Sequence, residues 1–242
     1  MPYYYYGFDW TYLVIVLPCL LLSMWASSSV NSTFNKYAKV NSIRRLTGAE
    51  AAQRVLSANG VRGVRIERVS GNLTDHYDPK TNVIRLSDSV HSSTSVAAIG
   101  VAAHEAGHAV QYAQNYGPIK LRAAIIPITN IGSKLAMPLF LLGLIFAGGS
   151  YVGGGIGETL MLTGILFFSF STLFQLVTLP TEFNASSRAM KALEDGGVLA
   201  ADELPAAKKT LSAAAMTYVA ALATSLASLL RLILIFNGNR RQ

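Results

Sequence analysis

His-Glu-Ala-Gly-His, residues 104–108, stands in a segment of small and apolar residues that runs from Val96 to Tyr112. On a helix, the two histidines are four residues apart and project from the same face, with Cβ atoms about 5–6 Å apart. Two imidazoles at that spacing can bind one Zn²⁺, each at about 2.0–2.1 Å. Glu105 lies beside such an ion, where it can accept a proton from a zinc-bound water. The pentapeptide therefore predicts a catalytic zinc centre with His104 and His108 as ligands and Glu105 as the general base.

The residues around the pentapeptide predict a buried helix. Residues 92–95 are all Ser or Thr, and their side-chain oxygens can cap its first turn. The alternative is a surface helix with two solvated histidines, but the apolar neighbours argue against it. A buried histidine pair without a partner would be costly, and a metal ion removes that cost. Gly107 is about 1 kcal/mol worse than alanine in a helix, which indicates that another helix or a substrate backbone approaches closely there.

The composition predicts an integral membrane protein. Half of the residues (51%) are hydrophobic and only 14% are charged, whereas a soluble domain normally has about 25% charged residues. Uncharged apolar stretches predict a mainly α fold with about four transmembrane helices, at about 10–26, 135–152, 160–179 and 213–236. Trp10 and Trp25 flank the first span as interfacial anchors, and Pro18 predicts a kink in it. Arg231 lies in the fourth span, where it either snorkels or faces a polar cavity.

The extramembrane part comprises about residues 27–120 and 181–210, and we expect the whole chain, 1–242, to form a single domain. Thr47 and Glu50 form a capping-box pattern that predicts a helix from about 48 to 59. Alternating or β-branched segments at 64–69 and 82–86, with 73–77 between them, predict a small antiparallel β-sheet. A strand that borders a catalytic cleft can hold a peptide substrate by edge pairing.

Charge and cysteine content limit the partners. The net charge is +7, and we attribute it to basic residues that flank the spans and meet anionic lipid, because no basic patch interleaved with aromatics predicts nucleic-acid binding. Cys19 is the only cysteine and lies in the first span, which excludes disulfides, thiolate metal sites and cysteine catalysis. Basic residues after the first span place residue 27 onward in the cytoplasm, and the loop 147–157, without basic residues, outside. The basic tail, with Arg240 and Arg241, would then also lie outside, against the rule.

A catalytic zinc centre needs a third protein ligand. His76 and His91 are candidates, but Glu182, just after the third span, is the best one. Thr181 or Pro180 could start a new helix there, on which Ser186 would face the same way as Glu182. The alternative for Glu182 is an ordinary first-turn glutamate favoured by the helix dipole.

The pentapeptide, followed by Glu-Phe-Asn-Ala-Ser-Ser-Arg at 182–188, resembles the membrane gluzincins, namely the HtpX proteases and the CAAX prenyl endopeptidases. The closer resemblance is to the YugP-like neutral zinc metallopeptidases. It covers nearly the whole chain, including Asp-His-Tyr-Asp-Pro at 75–79. The resemblance implies one zinc ion held by His104, His108 and Glu182, with Glu105 as general base. HtpX-type enzymes usually carry an aspartate four residues after the ligand glutamate, where this chain has Ser186, so Asp75 or Asp88 is an alternative partner for a ligand histidine.

The expected function is hydrolysis of peptide bonds in membrane proteins or membrane-associated peptides, in a bacterial plasma membrane with the active site on the cytoplasmic side. Candidates for stabilising the transition state are His76, Tyr77 and Arg188. The alternative is that His76 and Tyr77 are turn residues and that Arg188 is a lipid-facing cation. A catalytically silent zinc-binding scaffold or chaperone is the main competing hypothesis. Glu105 argues against it, because a purely structural site has four ligands and does not use a base. A zinc transporter would need more polar residues within the spans.

Overall fold

The computed structural model describes residues 10–147 and 155–240. Within them, a short π-helix, Tyr12–Val16, leads into α1, and the other elements follow in chain order. The helices are α1 (Leu17–Tyr37), α2 (Gly48–Ala58), α3 (Val96–Ala113), α4 (Gly117–Ala147), α5 (Ile156–Asp195) and α6 (Leu204–Arg240). The strands are β1 (Arg65–Val69), β2 (His76–Asp78) and β3 (Val83–Ser87).

The mainly α, four-span architecture is confirmed. Four helical segments are long and apolar enough to cross a membrane, judged by length and composition: Tyr12–Tyr37, Gly117–Ala147, Ile156–Asp195 and Leu204–Asn239. Each is longer than the predicted span, because hydropathy marks the apolar centre of a helix whereas capping and turn residues set its ends. The end of the predicted second span, most of the loop 147–157 and Arg241 lie outside the described residues.

Pro18 lies within the first predicted span and Pro180 just after the third, and neither of them ends a helix. The predicted helix start at Pro180 or Thr181 is wrong, because α5 continues through Pro180 to Asp195. A proline costs a helix interior about 3 kcal/mol, and residues buried on both sides of it, such as Val177 and Ala185, anchor this helix. Before Pro18 the chain forms the π-helical turn, in which the Leu17 N–H donates to the Tyr12 carbonyl.

The three strands form a mixed sheet in the order β1-β3-β2. Strand β2 is antiparallel to β3, with Tyr77 opposite Ile84, but β1 is parallel to β3, with Ile66 opposite Ile84. The prediction of an antiparallel sheet is therefore correct only for β2 and β3. The chain crosses from β1 to the far side of β3, forms β2 and reverses at the turn after Asp78, and these two reversals leave β1 and β3 pointing the same way.

The contacts of the chain divide it into two compact units, and each long helix contributes residues to both. The first unit comprises Met1–Trp25, Leu121–Thr178 and Tyr218–Gln242. Within it, α4 and α5 approach so closely that a Cβ on Gly164 would lie 2.7 Å from the Ala136 carbonyl oxygen. Hydroxyl pairs join other helices, with Ser23 Oγ 3.1 Å from Thr224 Oγ1. The expectation of a single domain stays a prediction.

The second unit comprises Ala26–Lys120 and Leu179–Thr217. Its core packs α2 and the sheet around α3, with Leu56, Ile84 and Ile99 fully buried. The predicted capping box is present at the start of α2, where Thr47 Oγ1 accepts from the Glu50 N–H and the Glu50 carboxylate accepts from the Thr47 N–H. The helix ends beside Asn59, as predicted. All the predicted metal ligands belong to this unit.

Candidate metal centre

Helix α3 carries the His-Glu-Ala-Gly-His pentapeptide through the core of the second unit. It begins after Ser95, whose Oγ accepts from the Ala98 N–H at 3.2 Å. This is one of the four residues that the sequence offered as caps. Most of the helix is buried, including Ala103, Ala106 and Ala109 around the pentapeptide. Burial excludes the surface-helix alternative, since His108 is only 8% exposed.

Gly107 lets helix α5 approach α3. A Cβ at this position would lie 2.6 Å from the Ala185 carbonyl oxygen, closer than real Cβ atoms come to other atoms. The expected close approach of another helix is therefore confirmed. The consequence is functional, because Ala185 stands between Glu182 and Ser186 on α5, and the absent side chain lets both reach the two histidines.

Glu182 and the two histidines converge on one point. The Glu182 Oε2 atom lies 3.2 Å from His104 Nε2 and 3.3 Å from His108 Nε2. The three potential ligand atoms lie within 4.8 Å of one another, and Glu182 is 2% exposed. Ligand atoms of a tetrahedral zinc ion with bonds of about 2.0–2.1 Å lie about 3.3 Å apart. The donor set and its spacing therefore fit a zinc ion.

The second nitrogen of each imidazole also has a partner. His104 Nδ1 lies 3.1 Å from Ser186 Oγ. His108 Nδ1 lies 3.0 Å from Gln111 Oε1. In proteins, histidine ligands almost always use their outer nitrogen in this way, which orients the ring. Each histidine therefore directs Nε2 towards the centre.

Glu105 lies beside the centre and is partly buried. Within residues 10–147 and 155–240, no side chain forms a hydrogen bond with its carboxylate, whereas the Glu182 carboxylate contacts both histidines. A general base needs such an available carboxylate, because it must accept a proton from a reactant.

Burial by itself lowers the pKa of His108, but the hydrogen bond to Glu182 and the charges of Glu105 and Glu182 raise it above its usual value. Burial has the opposite effect on Asp75, where it raises the pKa of the carboxyl. The two hydrogen bonds that Ser87 donates to this carboxylate lower the pKa by less than burial raises it. The negative charge of Glu105 raises the pKa of Asp75 further. The carboxylates thus impose a negative potential that favours a cation.

The alternative third ligands lie elsewhere. His76 is exposed and its Nδ1 lies 2.9 Å from the Thr74 carbonyl oxygen, while His91 Nδ1 lies 3.0 Å from Ser92 Oγ. Among the residues that the structure describes, His104, His108 and Glu182 form the one group of three or more metal-binding side chains.

The other proposed partners are engaged in contacts outside the three ligands. Asp75 accepts from Ser87, and Asp88 accepts from Arg68 at 2.6 Å, so neither substitutes for Ser186. The Tyr77 hydroxyl donates to Asn82 Oδ1 at 2.8 Å, and its ring packs on Tyr112.

Arg188 contacts the connection between α3 and α4. Its Nε donates to Asn184 Oδ1 at 2.7 Å, another nitrogen donates to Gln114, and its guanidinium lies 5.7 Å from the centroid of the Tyr116 ring. The sequence reasoning missed Gln111 and Asn184. Gln111 follows His108 by three residues, which places both on one face of the helix, and this spacing was the available signal.

A helix with His-Glu-x-x-His that meets a glutamate of a second helix, in a chain with four candidate membrane spans, defines the class of zinc metallopeptidases. The chain belongs to the family described as "Putative neutral zinc metallopeptidase", whose model matches residues 12–237. It is 44% identical over 229 residues to the "Putative membrane protease YugP" of Bacillus subtilis (strain 168). The aligned residues cover 95% of this chain and 98% of that protein. No solved structure gives a significant match to the chain.

Proposed function

We propose that the chain is a zinc-dependent endopeptidase of the gluzincin type, which binds one zinc ion through His104, His108 and Glu182. The observation that carries this proposal is the convergence of both Nε2 atoms on a single Glu182 oxygen, beside the Glu105 carboxylate. Three protein ligands would leave one position of a zinc ion open to water or substrate, which is typical of catalytic zinc and not of structural zinc.

The chemistry divides between the ion and the chain. When bound, zinc supplies a Lewis acid that activates water and polarises the peptide carbonyl. Glu105 accepts the proton of the attacking water and later delivers it to the leaving amine. Ser186 holds the His104 ring so that its Nε2 stays directed at the ion. Transition-state roles for His76, Tyr77 and Arg188 stay predictions. In the structure, the Tyr77 hydroxyl donates to Asn82 and the Arg188 Nε donates to Asn184.

The proposed substrates are membrane proteins or membrane-associated peptides. Helices of the first unit expose large apolar side chains, such as Leu141, Ile145 and Leu166, which favour lipid as a partner. We place the enzyme in the bacterial plasma membrane, with residues 27–120 and 181–210 in the cytoplasm, because basic residues follow the first span closely. The active site would then face the cytoplasm.

The test compares the wild type with Glu105→Gln, both purified in detergent. Zinc content per chain and cleavage of casein or of the chain itself are measured on the same samples. Glu194→Gln is the matched control, because Glu194 is an exposed glutamate on α5. We expect one zinc per chain in all three proteins, and a loss of cleavage by at least about 100-fold in Glu105→Gln alone.

The competing scaffold hypothesis predicts a different pattern. Equal zinc content with no cleavage by any of the three proteins would favour the silent scaffold or chaperone. Equal cleavage by the wild type and Glu105→Gln would contradict the role of Glu105. A wild type that binds no zinc would contradict the proposal as a whole.

A further inference from the structure

Gln111 contacts both helices that carry metal ligands. It is fully buried, with 0% exposure. Its Oε1 lies 3.0 Å from His108 Nδ1 on its own helix. Its Nε2 donates to the Thr181 carbonyl oxygen of α5 at 2.8 Å, next to Glu182, and to Asn184 Oδ1 at 3.0 Å. One side chain therefore joins a ligand of α3 to the backbone that carries the ligand of α5.

The direction of every hydrogen bond in this chain of contacts follows from Arg188. A guanidinium can donate but cannot accept, so Asn184 must present Oδ1 to Arg188 Nε, 2.7 Å away. Gln111 must then present its NH₂ group to the same oxygen, and the Thr181 carbonyl, also an acceptor, requires the same orientation. The remaining amide atom, Oε1, consequently faces His108.

The orientation of the Gln111 amide decides which nitrogen of His108 carries the proton. A carboxamide oxygen accepts and cannot donate, so His108 Nδ1 must carry the hydrogen that joins them. The other nitrogen of the ring is then the one that a metal ion can bind. That nitrogen is Nε2, the atom that lies 3.3 Å from Glu182 Oε2. Without a metal ion, Nε2 can also donate a proton to the Glu182 carboxylate, and a bound metal ion would take the place of that proton while Nδ1–H stays on Gln111.

We propose that Gln111 is a positioning residue, which fixes the Nδ1–H tautomer of His108 and sets the separation of α3 and α5 at the metal centre. Asn184 and Arg188 act through Gln111, by fixing the orientation of its amide. This role rests on the proposed function, because it concerns a ligand of the proposed zinc ion. A neutral amide performs here the task that a carboxylate performs in many zinc sites, without adding a charge to the buried centre.

The test uses metal-free protein in detergent with ¹⁵N-labelled histidine. The ¹⁵N shifts of His108 report which ring nitrogen is protonated, and competition with a chromophoric zinc chelator gives the dissociation constant for zinc. Gln111→Leu and Gln111→Met both remove the amide at similar volume. Gln53→Leu is the control, because Gln53 is exposed on α2 and donates only to Ser57 of its own helix, at 3.4 Å.

We expect a proton on Nδ1 of His108, the Nδ1–H form, in the wild type and in Gln53→Leu. Gln111→Leu should give a mixture of tautomers and bind zinc about 10–100-fold more weakly. Retention of the Nδ1–H form in Gln111→Leu, with zinc affinity within about twofold of the wild type, would overturn the proposal.

Two further results are decisive. Should Gln111→Leu not fold, Gln111→Met takes its place, and the same two outcomes support or overturn the proposal. Absence of zinc binding by the wild type would instead overturn the proposed function, while the tautomer of the metal-free protein would still test the role of Gln111.

Discussion

At the scale of single residues, the metal centre is a buried carboxylate between two imidazoles. Glu182 is 2% exposed, and its Oε2 lies 3.2 and 3.3 Å from the two Nε2 atoms. A buried carboxylate is costly unless it is paired or coordinates a metal ion. The neighbouring Glu105 adds further negative charge. A divalent cation offsets this charge, whereas two neutral imidazoles do not. The residues thus favour a cation over an empty centre.

The binding of zinc should weaken at low pH, because His108 must be neutral to coordinate it. The pKa of His108 lies above its usual 6.5, since the interactions with Glu182 and Glu105 outweigh burial. Protonation of His108 stabilises the folded, metal-free protein. This stabilisation is complete at pH values below the pKa of His108 in the unfolded chain, and it is lost as the pH rises through the raised pKa of the folded protein. Zinc affinity should be constant above the raised pKa and fall about tenfold per pH unit below it.

The measurement is zinc affinity by chelator competition from about pH 5 to 9, with the competitor calibrated at each pH. His91→Asn removes a partly exposed histidine outside the centre, and its curve should match that of the wild type. A flat affinity over the whole range would contradict the assignment of His108 as a ligand.

The residue scale also shows what the sequence could and could not predict. The spacing of His104, Glu105 and His108 predicted their common face, and the position of Glu182 after a span predicted its role as the partner carboxylate. Gln111 and Asn184 were missed because the spacing of Gln111 from His108 indicates only a common helix face, and the other partners of the two amides cannot be read from the local sequence. Those partners lie about seventy residues away in the sequence.

At the scale of elements, the close contact of α3 and α5 brings the ligands together. Local patterns predicted α2 and its cap, because a capping box is complete within four residues. They did not predict the continuity of α5 through Pro180 or the parallel pairing of β1 with β3. Both depend on packing against distant parts of the chain, which outweighs the local preference.

The contact at Gly107 gives a prediction for the helix pair. Gly107→Ala would place a Cβ 2.6 Å from the Ala185 carbonyl oxygen, so α5 must shift. We expect a loss of stability of about 1–3 kcal/mol and weaker zinc binding, because Glu182 moves with α5. Gly100→Ala is the matched control on the same helix, since its Cβ would make ordinary contacts at 3.7 Å with Ala207.

Thermal unfolding in detergent, with and without zinc, measures both effects. Gly100→Ala should be neutral or slightly stabilising, because alanine is the better helix former. Equal melting temperatures and equal zinc affinities for the two variants would show that the approach of α5 at Gly107 does not set the geometry of the centre.

At the scale of the whole molecule, four long helices carry residues of both compact units. Composition was enough to predict the number of apolar helices, because a membrane requires about 20 apolar residues for each crossing. The residues at which these helices begin and end were less predictable, since polar helical turns continue beyond the apolar centre of each helix.

The proposed topology can be tested with a membrane-impermeant maleimide on intact cells. Cys19 is the only cysteine, so Cys19→Ser gives a background without thiols. On it, Ser57→Cys reports on an exposed position of α2, and Ser150→Cys reports on the loop that we expect outside. We expect labelling of Ser57→Cys only after lysis and of Ser150→Cys in intact cells. The reverse pattern would place the proposed active site on the other side of the membrane.

The most direct test of the zinc centre is X-ray absorption at the zinc edge, on wild-type protein loaded with one equivalent of zinc. We predict two imidazoles and oxygen ligands at about 2.0–2.1 Å, and no sulfur. In Glu182→Ala, we predict that zinc is lost on dialysis, while Glu194→Ala retains it. A wild-type spectrum with three imidazoles, or full zinc retention by Glu182→Ala, would contradict the account and direct attention to His76 or His91 as the third ligand.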